Sequence, residues 1–377
     1  MSRANHKEKR FLDLPFFIAV IAILFFGVVT VYDSSVVYSL NLFGGRFHFL
    51  ISQAMWAGIG LVAFFIAFFI PTSFIFAISR PLYLFSLILL LVVLLPTPFS
   101  PPLYGARRWL FLNPEPFPLI PLFGRMGFQP SDFMKIAYIL YMRQLLALEK
   151  TDLVKVVKKF LVVTLVPVGL ILMEPDLGTA LLILVTGFVM LFVWGFPVKY
   201  FALLTPVFLL LATLAIISSP YRKERLLTYL GGNTEQSQSA GYHVNQVQIA
   251  LGSGGVFGRG LGQSRQKYGY LPEVTSDSIF AIIGEEFGLI GTTLTLGIIL
   301  FIINRGLELA KKASFINAKM LSIGVITIFG LQSFLNFASM LGLAPLTGVP
   351  LPLISYGGSS LVITLLGFGL MLNLLSV

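Results

Sequence analysis

Sustained apolar runs, broken by short polar clusters, dominate the chain. They do not alternate with period two, so they read as helices, not half-buried strands. Runs near 14–32, 49–70, 79–95, 131–148, 160–173, 177–194, 200–218, 278–303, 320–342 and 356–376 predict ten helices. Most are long enough to cross roughly 30 Å of hydrocarbon. Between the fifth and sixth runs, "MEPDLGT" carries Glu174, Pro175 and Asp176, which break and hydrate a helix. Two crossings joined by a tight turn are predicted there. Two long segments, 96–130 and 219–277, lie between crossings. In the second, "GYHVNQVQIALGSGG" spaces Val244, Val247, Ala250 and Leu251 among polar residues, the pattern of a short amphipathic helix lying in the membrane interface.

Composition strengthens that reading. Of 377 residues, 56% are hydrophobic and 11% charged, against about 25% charged in soluble domains. The expected fold is an all-α polytopic membrane protein with about ten transmembrane helices and a large extracytoplasmic loop between helices seven and eight. No repeat with a period of roughly 20–50 residues appears, so 1–377 reads as one integral domain with a tail at 1–13 and the large loop at 219–277. The first run is longer than a signal-peptide core and lacks a small-x-small cleavage site, so it reads as a retained helix.

An even number of crossings puts both ends on one side. Arg3, Lys7, Lys9, Arg10, Lys150, Lys155, Lys158, Lys159, Lys199, Arg305, Lys311 and Lys312 all fall on that side, which predicts cytoplasmic termini. The net charge of +10 points to anionic partners, lipid headgroups before nucleic acid. With no cysteine, disulfides, thiolate catalysis and cysteine metal sites are excluded. His6, His48 and His243 are scattered, without the spacing of a histidine metal site.

The chemistry concentrates in "ALGSGGVFGRGLGQSRQKYGYLPEVTSD", residues 250–277. It holds six glycines between Gly252 and Gly262, yet matches neither a dinucleotide loop nor a Walker loop. Its place outside the cytoplasm also argues against a nucleotide triphosphate. The glycines permit close backbone approach to a ligand, or simply a flexible loop. Asp277, just ahead of a long apolar helix, fits a helix N-cap position, supplied by Ser276 or Asp277, and also fits a reactive carboxylate. Arg222, Lys223 and Arg225 sit near the membrane surface, placed for lipid phosphates or a lipid-linked pyrophosphate. Asp132 and Lys135 share a helix face and either neutralise each other or mark a path. Glu285 and Glu286 lie about two turns below Asp277, as buried anchors or as path residues.

Together, "GARRWL" (105–110), "QPSDFMK" (129–135), "EPDLGTA" (174–180), the stretch 241–291 and "PLTGVPLPLISYGGSS" (345–360) resemble the shape, elongation, division and sporulation (SEDS) family, which contains FtsW, RodA and SpoVE. The motifs fall in order over most of the chain. "GLGQSRQKYGYLPE" is more similar to the FtsW and SpoVE branch than to the RodA branch. The resemblance implies a ten-helix glycosyltransferase of the bacterial cytoplasmic membrane that polymerises lipid II on its outer face, beside a class B penicillin-binding protein and other division or elongation proteins. The family's essential aspartate, four residues after Leu-Pro-Glu, maps to Asp277, after Glu273. Gln-Pro-Ser-Glu-x-x-Lys maps to Gln129, Pro130, Ser131, Asp132 and Lys135, with Asp132 one methylene shorter than the usual glutamate. Arg108 and Trp109 fall in "GARRW", and Ser355 in the last motif. Glu174 replaces a common glutamine, and the proline-rich link from Asn113 to Phe128 is longer than the family leads one to expect.

An α-linked pyrophosphate donor giving a β-linked product requires inversion, hence one displacement. Pyrophosphate leaves without a proton, so one general base suffices if positive charge meets the departing phosphates. Asp277 is the expected base. Arg108, Lys135, Arg222, Arg259, Arg265 and Lys267 are candidate pyrophosphate contacts, and a divalent cation such as Mg2+ or Mn2+ is a possible helper. Two rivals stand beside this reading: a lipid II flippase, expected to show paired broken helices in two related halves, and a non-catalytic scaffold for the transpeptidase.

Overall fold

Each of the ten apolar runs lies on a helix in the computed structural model, which describes residues 11–103, 105–118, 120, 124–148, 153–217, 220–229 and 237–376. The spans are α1 (Leu14–Phe43), α2 (His48–Phe69), α3 (Thr72–Leu94), α4 (Pro130–Leu148), α5 (Leu153–Met173), α6 (Leu177–Trp194), α7 (Val198–Ile217), α10 (Ile279–Lys311), α11 (Ile316–Met340) and α12 (Gly358–Leu375). Eight of them are long and apolar enough to cross a membrane by themselves; α4 and α7 complete the ten. The chain is a multi-pass membrane protein. Two further helices, α8 (Pro220–Tyr229) and α9 (Ser237–Gly254), belong to the large loop, with a 3-10 turn at Gln266–Tyr268. The tail 1–10, Lys150 and residues 230–236 lie outside the described residues.

Several helix boundaries differ from the sequence expectation: α5 begins at Leu153, not 160, α11 at Ile316, not 320, and three others change the reading. The first run was expected to stop at Tyr32, before Asp33, Ser34 and Ser35. Instead α1 continues to Phe43. Ser34 and Ser35 return their hydroxyls to carbonyls three residues back, and Asp33 is neutralised by Lys267 at 3.1 Å. The third helix begins at Thr72, not 79, because Ser79 caps back onto Ile75 O and faces Arg143. The eighth run continues to Lys311 but is broken at Gly288, whose backbone (φ 62, ψ −156) is not helical.

Polar side chains lie inside the bundle in pairs. At the centre, α4 packs between α3, α11, α6 and α12. Its Lys135 reaches Asp132 at 2.7 Å and Gln332 of α11 at 3.1 Å. Asp132 also accepts from Ser359 of α12. Salt bridges this deep contribute little net stability, but losing one partner strands a buried charge. At the end away from the large loop, Asp13 caps α1 and pairs with Arg305 at 2.7 Å.

On the large-loop face, β1 (Leu110–Phe111) pairs antiparallel with β2 (Gly127–Phe128). Asn113 ties the proline-rich link between them, donating to Pro118 O and Gly124 O and accepting from Met126 N.

The glycine-rich stretch has a definite structural job. The break at Gly288 frees two carbonyls and two amides from the α10 ladder. Arg259 N and Gly260 N donate to Glu285 O and Glu286 O at 3.0 and 2.9 Å. Leu289 N and Ile290 N donate to Gly255 O and Val256 O at 2.9 and 3.2 Å. Gly258 (φ 79) rests on the Glu286 carbonyl, where a Cβ would clash with backbone. The expected flexible entrance loop is thus a backbone clamp that fills a broken helix, as unpaired buried backbone groups require. Likewise α9 packs on α10, with Val247 and Ala250 buried in that contact layer.

Candidate functional site

Three segments converge on the large-loop face above the bundle: the turn between α5 and α6, the end of the large loop before α10, and the loop between α11 and α12. The last two are stitched together. Ser355 donates to Ser276 O at 2.6 Å and accepts from Leu351 N at 2.8 Å. Tyr356 N donates to Thr275 O. Asn336 of α11 bridges Asp277 O and Val349 O, both at 2.9 Å. The backbone around Asp277 is therefore held from two sides.

The Asp277 side chain is not tied down in this way. The N-cap of α10 is Ser278, not Ser276 or Asp277, and it makes no side-chain capping bond. Ser278 instead donates to Pro272 O and contacts His243 Nε2 at 2.7 Å; burial pushes His243 down to about 4 and keeps it neutral. Among the described residues the Asp277 carboxylate has no hydrogen bond or ion pair. Burial pushes its pKa up to about 7, Glu273 adds like charge, Arg225 and Arg108 oppose the rise, and Asp176 adds to it.

Gly348, at a positive φ of 70 that favours glycine, lies beside the carboxylate. A Cβ there would lie 3.4 Å from Asp277 Oδ2 and 3.7 Å from Arg225 Nη1. Arg225 itself leans on Leu346 O at 2.7 Å. Arg108 donates from Nε to Glu174 O at 2.8 Å and from Nη2 to Pro175 O at 2.7 Å. Asp176 caps α6 through Thr179 N and accepts from Gln129. Glu273 is exposed, with φ 50 and its carboxylate on Ser276 Oγ at 2.8 Å. Chemically, this is an unpaired carboxylate able to take a proton near neutrality, flanked by two cations able to hold an anion.

The other sequence candidates separate from it. Asp132 and Lys135 neutralise each other in the bundle. Lys267 is buried between Asp33 and Glu286 at 3.1 and 3.3 Å. Arg259 lies 3.7 Å from Glu285. Ser264 and the 264–266 backbone donate to both glutamates. Glu285 and Glu286 are thus wrapped by the large loop. The Arg265 side chain is exposed, and Trp109 is half-buried beside Arg108. The Arg222 side chain lies outside the described residues. Arg225 was expected only as one of three cations near the membrane surface; Asp176, Gly348 and the main-chain carbonyl of Glu174 were not expected at the site. Their signals were present as motif neighbours, but only the fold aims them at Asp277.

Among the described residues, no group of three His, Asp or Glu is arranged to hold a metal ion. Asp176 is committed to its cap and to Gln129, and Glu273 to Ser276.

Residues 14–376 match the model of the FtsW/RodA/SpoVE family, described as cell cycle proteins. The chain belongs to that family. FtsW/RodA/SpoVE relatives match along almost their whole length. The chain is 36% identical over 374 residues to a probable peptidoglycan glycosyltransferase FtsW of Geobacter sulfurreducens, covering 98% of this chain and 96% of the relative. It is 34% identical to the stage V sporulation protein E of Bacillus subtilis, covering 96% of each. Among solved structures, a chain from a peptidoglycan synthase complex that coordinates polymerization and crosslinking superposes with TM-score 0.77 at 29% identity, covering 96% of this chain and 97% of that one. The rod shape determining protein RodA of Thermus thermophilus superposes with TM-score 0.69 at 28% identity, covering 96% of each chain.

Proposed function

We propose that the chain is a peptidoglycan glycosyltransferase that polymerises lipid II, with Asp277 as general base. The observation that carries this is the unpaired Asp277 carboxylate between Arg108 and Arg225. A half-buried carboxylate without a partner, beside two cations, is a common mark of a site kept for chemistry. The names of the full-length relatives support the same activity.

In this reading the base takes the proton of the acceptor 4-hydroxyl as its oxygen attacks the anomeric carbon of the donor. The carbon–oxygen bond to undecaprenyl pyrophosphate breaks, and the electron pair leaves with the phosphates. Arg108 and Arg225 stabilise that growing charge. A base whose pKa lies near 7 suits transfer at neutral pH. Its acid limb follows: Asp277 is protonated below about 7, so turnover rises with pH through that value.

The basic short loops opposite the large-loop face support cytoplasmic termini, with Asp277 outside. A class B penicillin-binding protein is the natural partner, since a neighbour in fold belongs to a synthase complex that polymerises and crosslinks. A flippase fits the geometry less well. Transporters pair broken helices around a substrate. Here α10 carries the one non-helical break inside a helix of the described residues, and its freed groups bind the glycine clamp, not a solute. The test is lipid II polymerisation by the chain with its transpeptidase. Long strands from wild type and none from folded Asp277→Asn support the reading. Strands from Asp277→Asn at the wild-type rate would sink it.

A further inference from the structure

Glu174 poses a problem that the proposed reaction does not use. It lies outside the membrane-spanning helices, in the turn between α5 and α6. Its side chain is fully buried, and among the described residues neither carboxylate oxygen has a hydrogen-bond partner. The chain bends so that its own carbonyl, and that of Pro175, receive the Arg108 guanidinium. The cation thus sits against the main chain of this residue, while the carboxyl group meets no donor among the described residues.

A sealed carboxylate with no donor is far costlier than a protonated one. Burial pushes Glu174 up to about 9, the Asp176 carboxylate adds to that, and Arg108 opposes it. Asp176 and Arg108 are the charged groups that act on it. The consequence falls on Arg108. Its two side-chain bonds go to neutral carbonyls, so its positive charge stays available to an anion. An ionised carboxyl beside it would cancel that charge.

We propose that Glu174 acts as a positioning residue in its uncharged acid form: its main-chain carbonyl orients Arg108, and its neutral side chain leaves the guanidinium charge free to hold a lipid-linked diphosphate. Ionising Glu174 then weakens that grip. This inference rests on the reading of Arg108 given above. It assigns Glu174 a tuning role, not contact with substrate, since its side chain is closed off from the site.

The test is binding of undecaprenyl pyrophosphate to the full-length protein in detergent, by calorimetric titration from pH 7.5 to 10. The expected result is roughly tenfold weaker binding by wild type at the alkaline end. Glu174→Gln, which matches the neutral acid in shape, should bind like wild type at pH 7.5 and keep that affinity as pH rises. The alkaline limb of polymerisation should flatten in the same variant, while the acid limb near 7 stays. Parallel pH profiles for wild type and Glu174→Gln would overturn the role of Glu174. So would a folded Glu174→Gln that binds poorly at pH 7.5. If Arg108→Gln binds as tightly as wild type, the Arg108 reading itself fails, and this inference with it.

Discussion

Two charged clusters lie along the start of α10, one at Asp277 just before it and one at Glu285 and Glu286 on it, and they are built on opposite rules. Around Glu285 and Glu286 every charge is answered: Lys267 meets Asp33 and Glu286, Arg259 meets Glu285, and the 264–266 backbone donates to both carboxylates. Around Asp277, Arg108 donates to two carbonyls and Arg225 to a third, and among the described residues the aspartate is bonded only through its backbone. Intramembrane acidic residues invite a functional reading. Partnership, not position, tells these two clusters apart.

The largest effect that sharpens this contrast is on chemistry. Asp277→Asn should lower lipid II polymerisation by about 10²–10⁴-fold while leaving the thermal unfolding curve in detergent nearly unchanged. Next in size, Lys267→Met should destabilise by about 3–5 kcal/mol, because it strands Asp33 and Glu286 in a buried site. Adding Glu286→Gln should recover part of that loss, as measured by thermal unfolding. Recovery of neither stability nor fold would show that the second cluster is not a closed charge balance.

A smaller loss is expected from Gly258→Ala. It forces a side chain onto the Glu286 carbonyl at φ 79, costing on the order of 1–3 kcal/mol. Faster amide exchange at Leu289 and Ile290 would report the released clamp. The smallest effect tests the open cluster. Glu273→Gln removes a like charge from beside Asp277, so Asp277 should lose its proton more readily and the acid limb of kcat/KM against pH should move to lower pH. A limb that stays fixed would place the titrating group elsewhere.

The contrast also marks where sequence reading stops. Apolar runs are local, so the ten helices, the tight turn at 174–176 and a helix within 241–255 were legible, though that helix packs on α10 and was expected in the membrane interface. Asp277 and Arg108 were legible through motifs. The break at Gly288 was not, since a glycine inside an apolar run says nothing of its φ. For the same reason the glycines of 252–262 looked like a pliable loop: their partners are main-chain atoms some thirty residues on. Lys267 looked like a phosphate ligand because Asp33 lies at the far end of α1, beyond where the hydrophobic pattern ended. The grip of Arg108 on Glu174 and Pro175 runs through carbonyls, which every residue possesses and no motif records.

The clamp at Gly288 also sets what the large loop can tolerate in length. Its fixed part runs from Gly254, against Gly284, to Lys267, against Asp33 and Glu286, and every anchor between them counts residues. One added residue there would shift Arg259 and Gly260 off the two carbonyls and turn the donors meant for Glu285 and Glu286 away from them. By topology this stretch is a surface connection, where insertions are usually harmless. By packing it behaves like the interior, and variation in loop length is expected to fall before Gly254, leaving the spacing from there to Asp277 constant.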